Sequence, residues 1–180
     1  MENTKEDKKK LLLRILVPIL IVVAVFIIWV LKTYSAPELT DDSNEYIADF
    51  VLEAASIDLD ALKAYNLPII IDFGSDSCQP CREMAPVLKK LNAEMQGKAI
   101  IKFIDVEKNG EVLQYFPVQV IPTQIFYSAD GTPYVPGENL EQAFDLYTYN
   151  ETGEHALTVH RGRLTEEEMR HILTNMGVSE

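Results

Sequence analysis

Two cysteines are the residues of this chain best suited to chemistry, because they are its only thiols and stand close together as Cys78-Gln79-Pro80-Cys81. An apolar run ends just before them, and helical spacing begins at Arg82. A Cys-x-x-Cys turn at the start of a helix places the first sulfur beside free backbone N–H groups and the positive end of the helix dipole, which favour a thiolate. The second sulfur, one turn further in, can then attack a mixed disulfide. The motif therefore predicts redox chemistry.

A zinc site is the competing interpretation of paired cysteines, since structural zinc takes three or four Cys or His ligands at defined spacing. The three histidines are distant in sequence from the cysteines and form no pair with ligand spacing: His155, His160 and His171. The sequence therefore favours a disulfide and predicts no resident metal or other cofactor. A copper- or zinc-handling module that uses Cys78 and Cys81, with His160 as a further ligand, is kept as an alternative.

The hydrophobic pattern predicts the elements that hold this motif. Residues 69–74 are apolar nearly throughout and indicate a buried strand, while residues 82–96 indicate a helix that Pro86 should kink. Further strands are expected at residues 99–106, 123–127, 144–149 and 156–161, the last two as a hairpin. Further helices are expected at residues 43–56, 59–65 and 111–116 and from a capping box that begins at Thr165.

An apolar segment near the N-terminus predicts a membrane anchor. Residues 15–31 carry no charge, and residues 11–13 extend the segment to the length of about 20 residues that spans a bilayer. Basic residues precede it and acidic residues follow it, so the positive-inside rule puts the N-terminus in the cytoplasm and the remaining chain outside. A cleaved signal peptide is the alternative, but its apolar region would be shorter.

The predicted organisation is therefore a cytoplasmic basic tail at residues 1–14, a transmembrane anchor at 11–32, a linker at 33–43 and one domain at 44–180. Net charge is −12, and since residues 1–35 carry +3, the remainder carries −15. Such an acidic surface argues against nucleic-acid binding, which needs Lys and Arg to neutralise phosphates. Nothing in the sequence demands a dimer, so a monomer is expected.

Several spaced motifs resemble the thioredoxin family over residues 68–177. Asp72-Phe73 followed by Cys78-x-Pro-Cys81-Arg-x-Met-Ala-Pro86 looks like its active-site stretch, and Ile121-Pro122-Thr123 is similar to its cis-proline segment. Lys102 falls where the family carries a lysine beside the active site, and Gly162 where it has a glycine before the last helix. The resemblance implies an α/β thioredoxin-like fold, a central mixed sheet flanked by helices, with residues 44–66 as an N-terminal helical extension to a core at 67–177.

The resemblance also implies roles for these residues. Cys78 would be the exposed nucleophile and Cys81 the buried resolving thiol, the two forming a reversible disulfide. Asp72 would relay a proton to or from Cys81, with Lys102 as its charge partner. A substrate chain would bind along the cis-proline segment and its neighbours, namely Gln79, Pro80, Ile121, Pro122 (in a cis peptide bond), Thr123 and Gly162.

The implied activity is thiol–disulfide exchange with protein disulfides outside the cytoplasm, without a dissociable cofactor. Asp72 and Lys102 resemble the reductant branch of the family. A reductant there needs electrons from a membrane electron-transfer protein, of the kind that serves cytochrome c maturation. An oxidant or isomerase of exported proteins is the alternative in the same class, and an inert binding domain with a structural disulfide is another.

Three departures from the family pattern bear on specificity. Ser77 replaces the tryptophan before the first cysteine, and Gln79-Pro80 replaces Gly-Pro between the cysteines. The chain is also longer between Asp130 and Arg161, and residues 133–144 form the expected insert over or beside the last hairpin. Away from these differences, Met84 is expected to fill the core and His160 to lie on the surface.

Overall fold

A five-stranded mixed sheet forms the centre of the structure, a computed structural model that describes residues 48–137 and 143–179. Its strands are β1 (Ile69–Gly74), β2 (Ile100–Asp105), β3 (Thr123–Tyr127), β4 (Asp145–Thr148) and β5 (His155–Arg161). The helices are α1 (Leu59–Lys63), α2 (Gln79–Glu94), a 3₁₀ helix (Gly110–Gln114) and α3 (Glu166–Asn175). The predicted α/β class, a central mixed sheet flanked by helices, is therefore confirmed for the described part of the chain.

The predicted tail, anchor and linker lie outside the described residues. Within the described part of the chain, no helix has both the length and the apolar character needed to cross a bilayer.

The strand order is β2-β1-β3-β5-β4, with β1 parallel to β2 and antiparallel to β3. The strands β4 and β5 form the predicted antiparallel hairpin, with an irregularity in register between Tyr147 and Thr148. β1 is buried along its whole length, which explains why its sequence is apolar on both faces. β1 is an inner strand, and its C-terminal residue Gly74 lies against Cys81 at the start of α2.

Two apolar clusters cover the two faces of the sheet. Side chains from α2 and α3 pack with Ile70, Ile101 and Phe126 on one face. On the other face, Ile69, Ile71, Ile100 and Ile125 pack with Phe50 and Leu62. Met84 is fully buried in the first cluster, as predicted. The final helix also begins as predicted, since Thr165 and Glu168 form a complete capping box.

The helix expected over residues 43–56 ends earlier than predicted: residues 48–50 are helical, and residues 43–47 lie outside the described part. The prediction that the helix continues to residue 56 is wrong, because residues 52–54 pair with the outer edge of β2 instead. The Phe103 amide donates to the Leu52 carbonyl at 2.7 Å, and the Ala54 amide donates to the Phe103 carbonyl at 3.0 Å. An edge strand offers unpaired backbone groups, and satisfying them outweighs local helix propensity here.

The two described ends of the insert are part of the core. The Tyr134 amide donates to the carbonyl of Phe126, and the Thr158 hydroxyl donates to the carbonyl of Tyr134. The Phe144 ring lies 5.3 Å from the ring of Phe126 and 5.9 Å from that of Tyr134, both edge to face. Residues 138–142 lie outside the described part. The insert is therefore anchored on the same face of the sheet as α2.

Candidate active site

The Cys-x-x-Cys turn opens α2, with Cys78 as the N-cap residue. The Cys81 amide donates to Cys78 Sγ at 3.3 Å, so the first sulfur accepts one of the free N–H groups of the helix start. The two sulfurs are joined in a disulfide. Cys78 is half-buried, whereas Cys81 is only 3% exposed. This difference suits an accessible nucleophile followed by a protected resolving thiol.

A second backbone segment approaches the first sulfur. The Ile121–Pro122 peptide bond is cis, as the resemblance implied, and the Ile121 carbonyl oxygen lies 3.8 Å from Cys78 Sγ. The Gly162 amide donates to the Pro122 carbonyl at 2.9 Å and its φ is 113°, which glycine adopts readily. These segments and the exposed Val120 form one side of the site.

The remaining predicted substrate residues differ in accessibility. Gln79 and Pro80 are exposed at the first turn of α2. Thr123 is fully buried, and its hydroxyl donates to the Val120 carbonyl at 2.7 Å. The Thr123 side chain therefore shapes the loop before Pro122 and is not accessible to a substrate.

Asp72 is a fully buried carboxyl on the face of β1 covered by α2. Its Oδ1 accepts from Gln124 Nε2 at 2.7 Å, and among the described residues its Oδ2 has no hydrogen-bond partner. Burial raises the pKa of Asp72 to about 7, and the hydrogen bond from Gln124 opposes that rise. Gly74, two residues on, shares this face, and a Cβ built there would lie 3.2 Å from Cys81 Sγ. The carboxyl therefore lies on the sheet face that Cys81 covers, two residues before the position that the resolving thiol contacts, and its pKa is suited to proton transfer near neutral pH.

The prediction that Lys102 pairs with Asp72 is wrong. Lys102 is in register with Ile71, whereas Asp72 is in register with Phe103, so the two charged side chains lie on opposite faces of the sheet. The Lys102 ammonium donates to the carbonyls of Ala48 and Val51, each at 2.9 Å. Burial lowers its pKa, and nearby Asp49 opposes that change. The resemblance implied a lysine beside Asp72, but the strand register places Phe103 there, one residue after Lys102.

The comparisons with known proteins agree with this geometry. A family model described as thioredoxin matches residues 37–144. The thioredoxin of Staphylococcus aureus is 38% identical over 84 residues, which cover 43% of this chain and 80% of that protein. The chain belongs to the thioredoxin family. Its activity is accordingly thiol–disulfide exchange through Cys78 and Cys81, as predicted.

Two solved thioredoxins are also similar to this chain. A chloroplastic thioredoxin z has a TM-score of 0.49 at 20% identity, covering 72% of this chain and 96% of its own. Fasciola hepatica thioredoxin has a TM-score of 0.48 at 23% identity, covering 70% of this chain and 99% of its own. The family assignment rests on the sequence matches alone.

The loop before Cys78 is built differently from the tryptophan-bearing loop of other thioredoxins. The Ser77 hydroxyl donates to Glu107, and Lys108 pairs with Asp76 at 2.6 Å. Arg82 Nη1 donates to the carbonyls of Asp76 and Ser77, each at 3.0 Å. Polar contacts with the chain after β2 therefore replace an aromatic wall, and only the replacement of the tryptophan was visible in the sequence.

Sequence reasoning missed one site residue, Gln124, and placed another, His160, on the surface. Gln124 is fully buried on β3, where it pairs in register with Asp72 on one side and His160 on the other. His160 is half-buried and bonded to Gln124, so its predicted surface position is wrong. The signal for Gln124 was its polar side chain within the apolar run Thr123–Tyr127.

Within the described residues, no three His, Cys, Asp or Glu side chains cluster closely enough to hold a metal ion.

Proposed function

We propose that this protein is a membrane-anchored thioredoxin that reduces disulfides in protein substrates outside the cytoplasm. The anchor is supported by the uncharged run at residues 15–31 and by the basic residues that precede it. The reducing direction is supported by one observation above all, the buried Asp72 beneath Cys81 with its pKa raised to about 7. Such a carboxylate can take the proton that a buried thiol must lose before it attacks.

The proposed cycle begins with both cysteines reduced. The Cys78 thiolate attacks one sulfur of a substrate disulfide, forming a mixed disulfide and releasing the other substrate sulfur as a thiolate. Cys81 then transfers its proton to the Asp72 carboxylate and attacks Cys78 Sγ. This step forms the Cys78–Cys81 disulfide and releases the second substrate thiolate. Two electrons pass to the substrate, and its two thiolates take up protons from Asp72 and the solvent.

Repeated turnover needs a donor that returns two electrons to the disulfide. Outside the cytoplasm, we propose a membrane electron-transfer protein of the kind that serves cytochrome c maturation, by analogy with the family. Its own dithiol would attack Cys78 Sγ, because that sulfur is the more accessible of the pair. The anchor would hold the domain near such a donor.

The reduction potential of the Cys78–Cys81 pair tests the direction, measured on the full chain in detergent micelles against a dithiol buffer. A value near about −270 mV, typical of thioredoxin, is expected for a reductant. A value near about −120 mV would instead identify an oxidant and overturn the proposed role of Asp72.

A metal titration of the reduced protein tests the metal-handling alternative, which stoichiometric copper or zinc binding at micromolar concentrations would support.

The location is tested separately, by fusing a topology reporter after Glu180. The proposal expects activity from a reporter that works only outside the cytoplasm, such as one that requires disulfide formation. Reporter activity confined to the cytoplasm would contradict the location and leave the exchange activity untouched. The matched control is a variant in which charged residues interrupt the run at 15–31.

A further inference from the structure

A polar row crosses the sheet beneath α2, perpendicular to the strands. Asp72 on β1, Gln124 on β3 and His160 on β5 are consecutive partners in register and face the same side. Gln124 Nε2 also lies 3.9 Å from Met84 Sδ of α2, so the row passes below the helix that carries Cys81. His160 is the member of this row that is not fully buried.

The hydrogen bonds of this row have a fixed direction. His160 Nδ1 lies 2.7 Å from Gln124 Oε1, and because an amide oxygen only accepts, Nδ1 must carry the hydrogen. The other end of the amide then presents its N–H to Asp72 Oδ1, also at 2.7 Å. An amide turned the other way would offer its oxygen to Asp72 and would favour the protonated carboxyl.

We propose that His160 is a positioning residue for disulfide exchange, which acts through Gln124 to keep an N–H donor aimed at the carboxyl beneath Cys81. The inference rests on the proposed role of Asp72 and adds the group that sets its protonation. Without His160, the described groups that still favour this amide orientation are Met84 Sδ, at 3.9 Å, and Asp72 itself, which requires an N–H donor only when it is ionised. Asp72 would then hold its proton to higher pH, so a smaller fraction of it would be ionised near neutral pH and able to take the proton of Cys81.

The charged groups around His160 come from two directions. Asp72 faces it through Gln124, and Glu168 of α3 raises its pKa, while burial lowers that pKa more strongly. The Phe144 ring packs edge to face against the imidazole at 5.9 Å. The proposal needs only the Nδ1–H, which both the neutral tautomer required here and the protonated ring carry.

The test uses the oxidised full-length protein in micelles, with the Asp72 carboxyl carbon followed by NMR as pH is varied. His160→Leu is expected to raise the midpoint of that titration by about one pH unit, the size expected for a hydrogen bond to a charged group. His160→Asn keeps a side-chain N–H donor and is expected to stay near the wild-type midpoint. His171→Leu, on the exposed face of α3, is the matched control and should change nothing.

A double-mutant cycle tests whether His160 acts through Gln124. Gln124→Met removes the amide and should itself raise the Asp72 midpoint, so adding His160→Leu should cause no further rise. An unchanged midpoint in His160→Leu would overturn the proposal, as would a full further rise in the double variant. If His160→Leu does not fold, His160→Phe tests the same point, because its ring can pack against Phe144.

A pH–rate profile distinguishes a failure of this inference from a failure of the proposed function. In the reduced protein, His160→Leu is expected to move the midpoint of the pH–rate profile for disulfide reduction in the same direction as the Asp72 titration. If the titration moves and the rate profile does not, Asp72 is not the base for Cys81, and the positioning role of His160 in exchange is overturned with it. If Asp72→Asn changes the rate profile while His160→Leu moves neither midpoint, only the inference about His160 fails.

Discussion

At the scale of single residues, the site depends on the carboxyl of Asp72. Hydrogen bonding offsets only part of the free-energy cost of burying its charged form. Asp72 has one hydrogen bond at Oδ1, and no described residue bonds to its Oδ2. Its ionised form is therefore unfavourable in the folded protein, which is the condition that makes it a base near neutral pH. The same condition makes it a cost to stability.

Replacing Asp72 should reveal that cost. The folded state keeps the Asp72 proton up to about pH 7 while the unfolded chain loses it near 3.8, so this group lowers stability as pH rises between those values. A shift of that size corresponds to about 4 kcal/mol, which we take as an upper limit. Asp72→Asn should raise the free energy of unfolding of the oxidised protein by up to that amount at pH 8 and by much less at pH 4.5, measured with urea.

Asp105 provides the matched control for that experiment. It is also buried, but its pKa is lowered, first by the hydrogen bond from Lys108, so it stabilises the fold above its unfolded pKa. Asp105→Asn should therefore destabilise at pH 8 and lose that effect as pH falls. A stability change of the same sign in both variants would contradict the pKa assignments.

Lys102 should affect stability and leave the chemistry unchanged. Lys102→Met removes the ammonium that bonds the carbonyls of Ala48 and Val51, and we expect a loss of about 2 kcal/mol in the free energy of unfolding. The pH–rate profile for disulfide reduction should match that of the wild type, because Lys102 lies on the face opposite Asp72. A displaced profile would restore the charge partnership that the structure rejects.

At the scale of elements, the sequence predicted the strands and helices that carry a strong hydrophobic pattern or a clear capping signal. β1 and β3 have the predicted bounds, and the hairpin and the capping box of α3 are as expected. The helix predicted over residues 43–56 stops at residue 50, because pairing with β2 is a tertiary effect that no local pattern encodes. Likewise, placing Lys102 required the register, and an error of one residue reverses the face of the sheet.

The described ends of the insert should contribute to stability because they are anchored in the core. Phe144 is 8% exposed and packs against Phe126 and Tyr134, so Phe144→Ala should lower the free energy of unfolding by about 3 kcal/mol. Tyr149→Ala, at an exposed position of the hairpin, is the control and should stay within about 0.5 kcal/mol. Equal effects of the two substitutions would mean that the insert is a surface loop without a packing role.

At the scale of the whole molecule, charge should influence which substrates are reduced quickly. Residues 36–180 carry a net charge of −15, so the domain attracts cationic chains over distances comparable with the Debye length. A lysine-rich disulfide peptide should be reduced faster than a glutamate-rich peptide of the same length. The difference in second-order rate constant should shrink as salt rises from about 0.01 to about 0.3 M, since screening shortens the attraction. A rate ratio that does not change with salt would exclude long-range steering.

The pairing of residues 52–54 with β2 has a mechanical consequence if the domain is tethered as we propose. Lys102 holds the chain at Ala48 and Val51, and the backbone of Phe103 then holds it at Leu52 and Ala54. Tension applied along this segment would load these hydrogen bonds side by side, in shear, before it reached β1. In the anchored protein that we propose, the hydrogen bonds at the edge of the sheet would therefore bear the tension first, before it reached the turn at Cys78.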